Sequence, residues 1–432
     1  YEILSGLVGS EMCIRDRIDC DTDFQEKAEQ WLNTIINKLA ESTKIKAPPS
    51  PLKPQKTDLT APSKANPFHS RLLQNVRLNH EHSNKDIRLF AFDIENSGIT
   101  YEAGDALGIW PQNCPELVNE LLSVTKLDGD SSLSMVDLKG MTLRQALTER
   151  FEIVKPQLNA LKLIATKGCY QRLQDLLDYP DKRELKKWLW GKQLVDVLHE
   201  FPIKLSVNEL ISILPKLQPR LYSIASSPKT YPTQIHLTVS AVRYDYQGNV
   251  RKGVSSTFLA DRVEQCSIPI FVQKSASFHP PVDSEIPLIM VGPGTGIAPF
   301  RGFLQERQAL GKASKNWLFF GEQKSSTDFY YQEELKKFQY DGVLTHLDLA
   351  FSRDQDQKIY VQDRMREQGA ELWQWLEQGA YFCICGDASR MAKDVDAALK
   401  EIIVRHGNKS EDEANTYVSN MSRDKRYLRD VY

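Results

Sequence analysis

The period of the apolar positions changes several times along the chain, and each change marks a boundary. Phe24, Ala28, Trp31, Leu32, Ile35, Ile36 and Leu39 recur every three or four residues, which predicts an amphipathic helix over Phe24–Leu39. With nothing of its own to pack on, one such helix is not a stable domain. Lys46–Pro67 follows with six prolines and four lysines, the composition of a semi-extended tether. Beyond it, Phe68–Leu78 and Asp86–Ile94 alternate and carry β-formers, with a Ser97-Gly98 turn after them. The stretch from about 113 to 216 is helical in period, for example Pro115–Thr125 and Thr142–Arg150. Strand signals return at Pro219–Ser226 and Gln234–Tyr244, with a turn at Gln247-Gly248-Asn249. From Pro287 strands and helices alternate: strands Leu288–Val291, Trp317–Gly321, Val343–Ala350 and Tyr381–Cys385, helices Pro299–Ala309, Tyr331–Phe338, Val361–Gln368 and Ala388–Arg405. Such alternation predicts a doubly wound parallel sheet.

At 432 residues the chain exceeds one ordinary core, so two or three domains are expected. Lys plus Arg is 55 against 57 for Asp plus Glu, a balance that argues against a nucleic-acid partner. No apolar run reaches membrane-spanning length. The seven cysteines are scattered and odd in number, without a CxxC pair, and the histidines form no ligand-spaced cluster. Neither a disulfide framework nor a metal site is expected, and a reducing, cytoplasmic compartment fits. Residues 1–17 begin without Met and lack the apolar core and cleavage site of a signal peptide. They are expected to be an artefactual leader.

The sharpest local signal is Ile289-Met290-Val291-Gly292-Pro293-Gly294-Thr295-Gly296-Ile297-Ala298-Pro299. A buried strand runs into alternate glycines and then a helix, a turn whose N–H groups approach a pyrophosphate. Gly294, Thr295 and Gly296 are its candidate contacts. The spacing is GxGxG, not GxGxxG, so the usual dinucleotide fingerprint is not matched. At the second strand's end Gly321-Glu322-Gln323 leaves the ribose partner ambiguous. Ser352, Arg353 and Lys358 place a hydroxyl, a guanidinium and an ammonium close together, a set suited to a dianionic 2′-phosphate and so to NADPH.

Upstream, Arg220-Leu221-Tyr222-Ser223 puts a cation and an aromatic on one face of an extended strand. The guanidinium can clamp a pyrophosphate, the phenol can stack on a flavin, and the next hydroxyl can approach its reactive edge. Gly253-Val254-Ser255-Ser256 is a small-residue turn opening a helix, again suited to a diphosphate.

The strings RLYSIASS (220–227), GVSSTFLADRV (253–263), GPGTGIAPFRGFLQER (292–307), FSRDQ (351–355) with KIYVQD (358–363), CGDASRMAKDV (385–395) and RYLRDVY (426–432) together resemble the diflavin reductases, and within them the branch serving sulfite reduction. The resemblance covers about residues 18–432. It implies an α/β plus all-β architecture: an antiparallel flavin-binding β-barrel with a helical insertion, then a doubly wound parallel-sheet NADP-binding domain of the ferredoxin–NADP reductase kind. The implied boundaries are 18–41 for the end of a flavodoxin-like FMN domain and 42–66 for the linker. The FAD-binding domain takes 67–282, with its insertion at about 113–216, and the NADP-binding domain takes 283–432.

The resemblance further implies that FAD is held by Arg220, Leu221, Tyr222, Ser223, Thr238, Val239, Ser240, Tyr244, Gly253, Val254, Ser255, Ser256 and Tyr432. NADPH would be held by Ser352, Arg353, Lys358, Ile359, Tyr360, Val361, Gln362 and Asp394 as well as by the glycine turn. Ser223, Cys385, Asp430 and Tyr432 would line the hydride path. Val154 departs from a flavin-contacting Thr. The implied activity is an NADPH-dependent oxidoreductase: hydride transfer from NADPH to FAD, with electrons then passing through FMN to a sirohaem and iron–sulfur haemoprotein subunit. That subunit would reduce sulfite to sulfide for cysteine biosynthesis, in a hetero-oligomer. FMN is expected in a longer parent and not on this chain. A single-flavin ferredoxin–NADP reductase, another diflavin reductase and a non-catalytic NADPH sensor remain as alternatives.

Overall fold

The alternating segment at Phe68 becomes one strand bent between two sheets. A computed structural model describes residues 62–263, 267–311 and 315–432. The expected leader, the amphipathic helix Phe24–Leu39 and most of the Pro/Lys-rich tether lie outside the described residues. The expected strand Phe68–Leu78 is divided at Arg71 into β1 (Phe68–Ser70) and β2 (Leu72–Arg77). β2 pairs with β3 (Ile87–Asp93). β4 (Ala106–Ile109), β5 (Arg220–Ser223) and β6 (Gln234–Ser240) follow. Later come the hairpin of β7 (Arg243–Tyr246) and β8 (Asn249–Lys252), and then β9 (Ile268–Gln273).

One antiparallel sheet has the order β1-β9-β4-β5 and another β2-β3-β6. The bent strand joins them at one side, and an isolated bridge from Ile224 to Leu237 joins them at the other. Between them Phe90, Phe92, Leu107, Ile109, Leu237, Phe258 and Ile270 form the barrel core. The expected strand Gln234–Tyr244 breaks after Ser240, where the Ala241 N–H turns to the Asp86 carbonyl (2.8 Å). Gln247 and Gly248, both with positive φ, close the β7–β8 hairpin.

Between β4 and β5 the chain leaves for a helical insertion of seven helices, from α1 (Pro115–Thr125) through α2 (Leu143–Glu149), α3 (Leu158–Gly168), α4 (Gln171–Asp178), α5 (Lys182–Trp188) and α6 (Leu194–Glu200) to α7 (Val207–Ile213). Thr142 with Gln145 and Ser206 with Glu209 form capping boxes that fix two of these starts. The insertion has its own core, with Leu121, Leu147, Ile164 and Leu198 at its centre.

The third layer is a parallel sheet of β10 (Leu288–Val291), β11 (Asn316–Glu322), β12 (His346–Phe351), β13 (Tyr381–Gly386) and β14 (Tyr427–Val431), in the order β12-β11-β10-β13-β14. Before it comes α8 (Val254–Asp261); around it lie α9 (Ile297–Leu310), α10 (Ser325–Asp328), α11 (Gln332–Tyr340), α12 (Val361–Glu367), α13 (Gly369–Glu377), α14 (Met391–Gly407) and α15 (Glu411–Arg423). The doubly wound expectation holds. The strand order reverses between β10 and β13, which puts a crevice at their carboxyl ends.

Barrel and sheet share an apolar seam. Ile87, Ala103 and Phe278 pack in one cluster with Phe300 and Phe303 of α9. Polar groups then fix the register. Arg301, 5% exposed, donates from Nη1 to the Ala225 carbonyl (2.7 Å) and to His236 Nδ1 (3.2 Å), and from Nε to Glu334 (2.7 Å). Because a guanidinium only donates, His236 must present an unprotonated Nδ1 while its Nε2–H faces the Gln234 amide oxygen at 2.9 Å.

Burial and then the Arg301 charge push the His236 imidazole down from 6.5 to about 3. The depressed value means that the unfolded chain binds the extra proton first. Stability supplied by neutral His236 is therefore full above about 6.5 and drains as pH falls toward 3. Neighbouring Glu334, Tyr231 and Tyr331 stay the same in a His236→Asn chain, whose amide oxygen can accept from Arg301. That variant is expected to lose part of the acid-side slope of stability against pH; identical slopes in denaturant titrations from pH 7 to 4 would contradict the assignment.

Candidate active site

The glycine turn is set by steric limits. A Cβ on Gly296 would fall 2.2 Å from the Cys385 carbonyl oxygen, and one on Gly292 would fall 2.6 Å from the Gly296 carbonyl oxygen. Gly294 has room but takes φ +62°. The turn thus presses against the end of β13, and α9 starts directly from it. Pro299 sits within the first turn of that helix, two residues after its start.

The ambiguous carboxylate of Glu322 is resolved. Its side chain, only 2% exposed, is held by the Lys85 ammonium and by the Tyr330 hydroxyl at 2.9 Å. A buried, paired carboxylate is not open to a ribose diol. Ser352 and Arg353 follow β12 and are pinned by their N–H groups to the Glu322 and Gln323 carbonyls at 2.9 and 2.8 Å. The Arg353 and Lys358 side chains are exposed and have no ion pair among the described residues. Asp354, the nearest carboxylate in sequence to Arg353, instead accepts the Ser325 N–H at 3.1 Å. Two free cations beside a hydroxyl fit a dianionic phosphate. Ile359 and Val361 are packing residues, half-buried and buried; Tyr360, whose N–H is capped by Asp363 at 2.9 Å, is exposed. Gln362 lies in the first turn of α12, and Asp394 is exposed in the first turn of α14.

On the flavin side, β5 pairs with β4 so that Ile109 faces Arg220 and Ala106 faces Ser223. Glu152 holds the Arg220 guanidinium at 2.6 Å, and the Gln218 carbonyl accepts a second N–H at 2.8 Å. Burial pushes the Tyr222 phenol up, with the Ser255 hydroxyl beside it and the Arg220 charge acting the other way. Ser255 Oγ is buried and turned toward the Tyr222 phenol, without a partner at full hydrogen-bond geometry among the described residues. A buried hydroxyl at the start of α8, beside a phenol that itself lies near the Arg220 charge, fits a diphosphate-bearing flavin. Gly253 and Ser256 take the chain into α8, Gly253 donating to the Val242 carbonyl (2.9 Å) and Ser256 Oγ accepting the Val242 N–H (3.1 Å).

Leu221 is 54% exposed on β5. Thr238 Oγ meets the Tyr331 hydroxyl at 2.7 Å, Val239 points into the barrel core, and Ser240 pairs with Ile87. Tyr244 lies half-buried across from Arg251, and Val254 is buried. At Val154 the N–H goes to Glu152 (2.9 Å) and the carbonyl accepts the Leu194 N–H (2.9 Å).

The two sides meet at one carboxylate. Ser223 Oγ donates to Asp430 Oδ2 at 2.5 Å, and the Cys385 Sγ lies 3.6 Å from the same oxygen. Cys385 and Asp430 face each other across the β13–β14 ladder. Burial and the Asp430 charge push the Cys385 thiol well above its usual range, so it stays protonated. Cys383 points into the interior and is also pushed up by burial. Tyr432 is held by its N–H on the Gly386 carbonyl (3.1 Å) and by its own carbonyl on the Ala388 N–H (3.0 Å). The residue is 64% exposed, and its hydroxyl meets Thr295 Oγ1 of the glycine turn at 3.0 Å.

Several contributors escape sequence reasoning. Arg301, Gln305 and His236 build the seam, and Asp387 caps the turn after β13 by accepting the Ser389 and Arg390 N–H groups, both at 3.0 Å. The Ser389 side chain and those amides hold the Asp387 carboxyl down, to about 2. An acidic residue just before a helix was the available signal for Asp387; none marked His236.

Among the described residues no helix is long and apolar enough to cross a membrane, and no group of side chains could hold a metal. The sequence matches the FAD binding domain family over residues 61–258 and the oxidoreductase NAD-binding domain family over residues 290–397. It is 43% identical over 422 residues to the sulfite reductase [NADPH] flavoprotein alpha-component of Bacillus subtilis (strain 168), covering 97% of this chain and 70% of that protein. The proteins of the same description from Mannheimia succiniciproducens and Cronobacter sakazakii are 42% and 41% identical, over 96% and 98% of this chain and 70% and 71% of their own lengths. The chain belongs to the family of sulfite reductase [NADPH] flavoprotein alpha-components, NADPH-dependent oxidoreductases that carry FAD.

Proposed function

We propose that this chain binds FAD along β5 and NADPH along the carboxyl edge of the parallel sheet. It would serve as the electron-entry component of assimilatory sulfite reduction, with electrons leaving by way of FMN to a sirohaem and iron–sulfur subunit. The observation that carries the reading is the meeting of Ser223, Cys385 and Asp430 at the seam between the two layers. The downstream acceptor is supported by the description that its relatives share. The free state of Cys114, Cys169, Cys383 and Cys385 supports a reducing, cytoplasmic setting.

When bound, FAD supplies hydride acceptance from NADPH and the release of electrons one at a time. The protein's part is positioning and charge. Arg220 and the start of α8 would hold the FAD diphosphate, and the Tyr222 phenol would supply an aromatic face for the flavin. Asp430 would supply a carboxylate to stabilise positive charge on a nicotinamide held beside Ser223 and Cys385. Ser223 keeps a proton on its hydroxyl, shared with Asp430, at the reacting edge. The protonated Cys385 thiol gives a neutral wall and avoids a second negative charge there. Tyr432 would cover the flavin face; a ring stack contributes about 0.5–1.5 kcal/mol beyond area burial, little enough to let the ring swing aside. Gly294, Thr295 and Gly296 receive the NADPH pyrophosphate, and Ser352, Arg353 and Lys358 its 2′-phosphate.

The purified chain is expected to carry FAD, to bleach when NADPH is added without oxygen, and to capture a sirohaem and iron–sulfur protein from a sulfite-reducing extract. A flavin that NADPH leaves oxidised would end this reading. Arg353→Ala should raise KM for NADPH by about tenfold or more, the loss of one charge-assisted contact, while sparing NADH. Equal losses for the two cofactors would count against the phosphate role. Removing Tyr432 should narrow the preference for NADPH over NADH, as read from kcat/KM for each; an unchanged ratio with unchanged flavin bleaching would rule out the lid.

A further inference from the structure

We propose that Arg301 is a positioning residue for hydride transfer, a buried strut that sets the separation between the flavin strand and the nucleotide-binding helix. This rests on the reading above, in which the flavin lies along β5.

Arg301 stands in the second turn of α9, a few residues after the glycine turn, and its guanidinium leaves its own layer. One nitrogen reaches the Ala225 carbonyl at 2.7 Å, two residues beyond Ser223, and also His236 on β6 at 3.2 Å. Another reaches Glu334 on α11 at 2.7 Å. Its carbon lies 4.9 Å from the Tyr331 ring centre, and the Tyr331 hydroxyl meets Thr238 of the barrel at 2.7 Å. One planar group therefore ties the extension of β5, β6, α9 and α11 together.

The neighbouring contacts define what the strut can do. A Cβ on Gly302 would lie 3.0 Å from the Ser226 carbonyl oxygen, so helix and strand approach closely and leave little room to close further. Gln305 Oε1 accepts the Ser227 N–H at 3.1 Å. Arg301 resists the opposite motion, opening. The Phe278, Phe300 and Phe303 rings beside it glue the layers without fixing their register. A desolvated cation with a single carboxylate partner is a costly way to add adhesion, and directional donors are what it contributes instead. Hydride transfer has a use for that. Reacting atoms must sit about 3–3.5 Å apart, and a displacement near 1 Å costs about a hundredfold in rate.

The test compares Arg301→Met, Arg301→Lys and Glu334→Gln with the parent, all as FAD-loaded full-length chains. Without NADPH, hydrogen exchange is read at the amides of 224–227. With NADPH, the rate of flavin bleaching and the long-wavelength band of the nicotinamide–flavin complex are recorded in single-turnover mixing.

Arg301→Met is expected to speed exchange at 224–227, weaken the band and slow bleaching by about 30-fold, with NADPH affinity within about twofold. Arg301→Lys should remain slow by about tenfold, because an ammonium cannot hold both acceptors and the ring, and Glu334→Gln by about threefold. Normal exchange with normal bleaching in a flavin-loaded Arg301→Met chain overturns the proposal. If that chain fails to fold or to hold FAD, Arg301→Lys and Glu334→Gln decide. Parental exchange and rates in both overturn it, and slowed bleaching at unchanged NADPH affinity supports it. A parent chain that does not bleach would refute the seam as a hydride site, while the exchange data still report whether Arg301 clamps it.

Discussion

The backbone of residues 225–227 lies directly against α9, and the placement of Ser223 relative to the glycine turn depends on that contact. Gly302 permits it, Arg301 and Gln305 bond across it, and Glu306 takes the Ser227 hydroxyl and the Lys229 ammonium at its outer end. Residues 225–229 continue the strand that presents Ser223, and α9 continues the glycine turn. Joining those continuations therefore joins two prospective cofactor sites that arise from different layers. The turn in turn touches the end of β13, which presents Cys385. Asp430 follows from register, because β14 lies beside β13 with Asp430 opposite that cysteine.

Charge is used in two distinct ways. Glu322, Arg301 and Arg251 are consumed internally: Glu322 by Lys85 and Tyr330, Arg301 by the seam, and Arg251 by Glu120 and Asp196, which tie the β7–β8 hairpin to the insertion. Arg307, 1% exposed, bonds the Ser284 and Ile286 carbonyls and, among the described residues, leaves two of its nitrogens without partners. Burial pushes its guanidinium down, to about 10. Arg353 and Lys358 stand apart, exposed and without an ion pair among the described residues. A buried ion pair contributes geometry and little net stability. A free pair of cations at a sheet edge contributes binding capacity.

Much of this was legible in the sequence, and the failures have physical causes. β10 appears at its predicted bounds because four consecutive apolar residues lie between two strand breakers, Pro287 and Gly292. The glycine turn was readable because sterics permit no other residue type at Gly292 and Gly296. β9 was missed because Pro269 interrupts it; the proline is tolerated in its pairing with His69 of β1, and its carbonyl accepts the Trp110 N–H. β4 and β14 are too short for a period to register. The broken strand at Ser240 is a tertiary effect, since Ala241 turns toward Asp86 from a distant segment. The meeting of Ser223 with Asp430 spans most of the folded layers. Resemblance, not periodicity, brought those residues together beforehand. Arg301 lay inside a quoted motif, yet nothing in a linear string says that its side chain crosses to the other layer.

The helical insertion leaves the barrel after Ile109 and returns at Arg220, and those two residues are direct partners on adjacent strands. Topologically, the whole excursion is a hairpin loop. Its closure is enforced by the ladder at its base, and lengthening a closed loop adds only about 0.6 kcal/mol per doubling. An internal core of its own, held by capped helices, then makes the excursion largely self-supporting. Such an appendage can grow or shrink while the rung at its base keeps the Arg220 backbone in place, so long as Glu152 remains to hold the guanidinium.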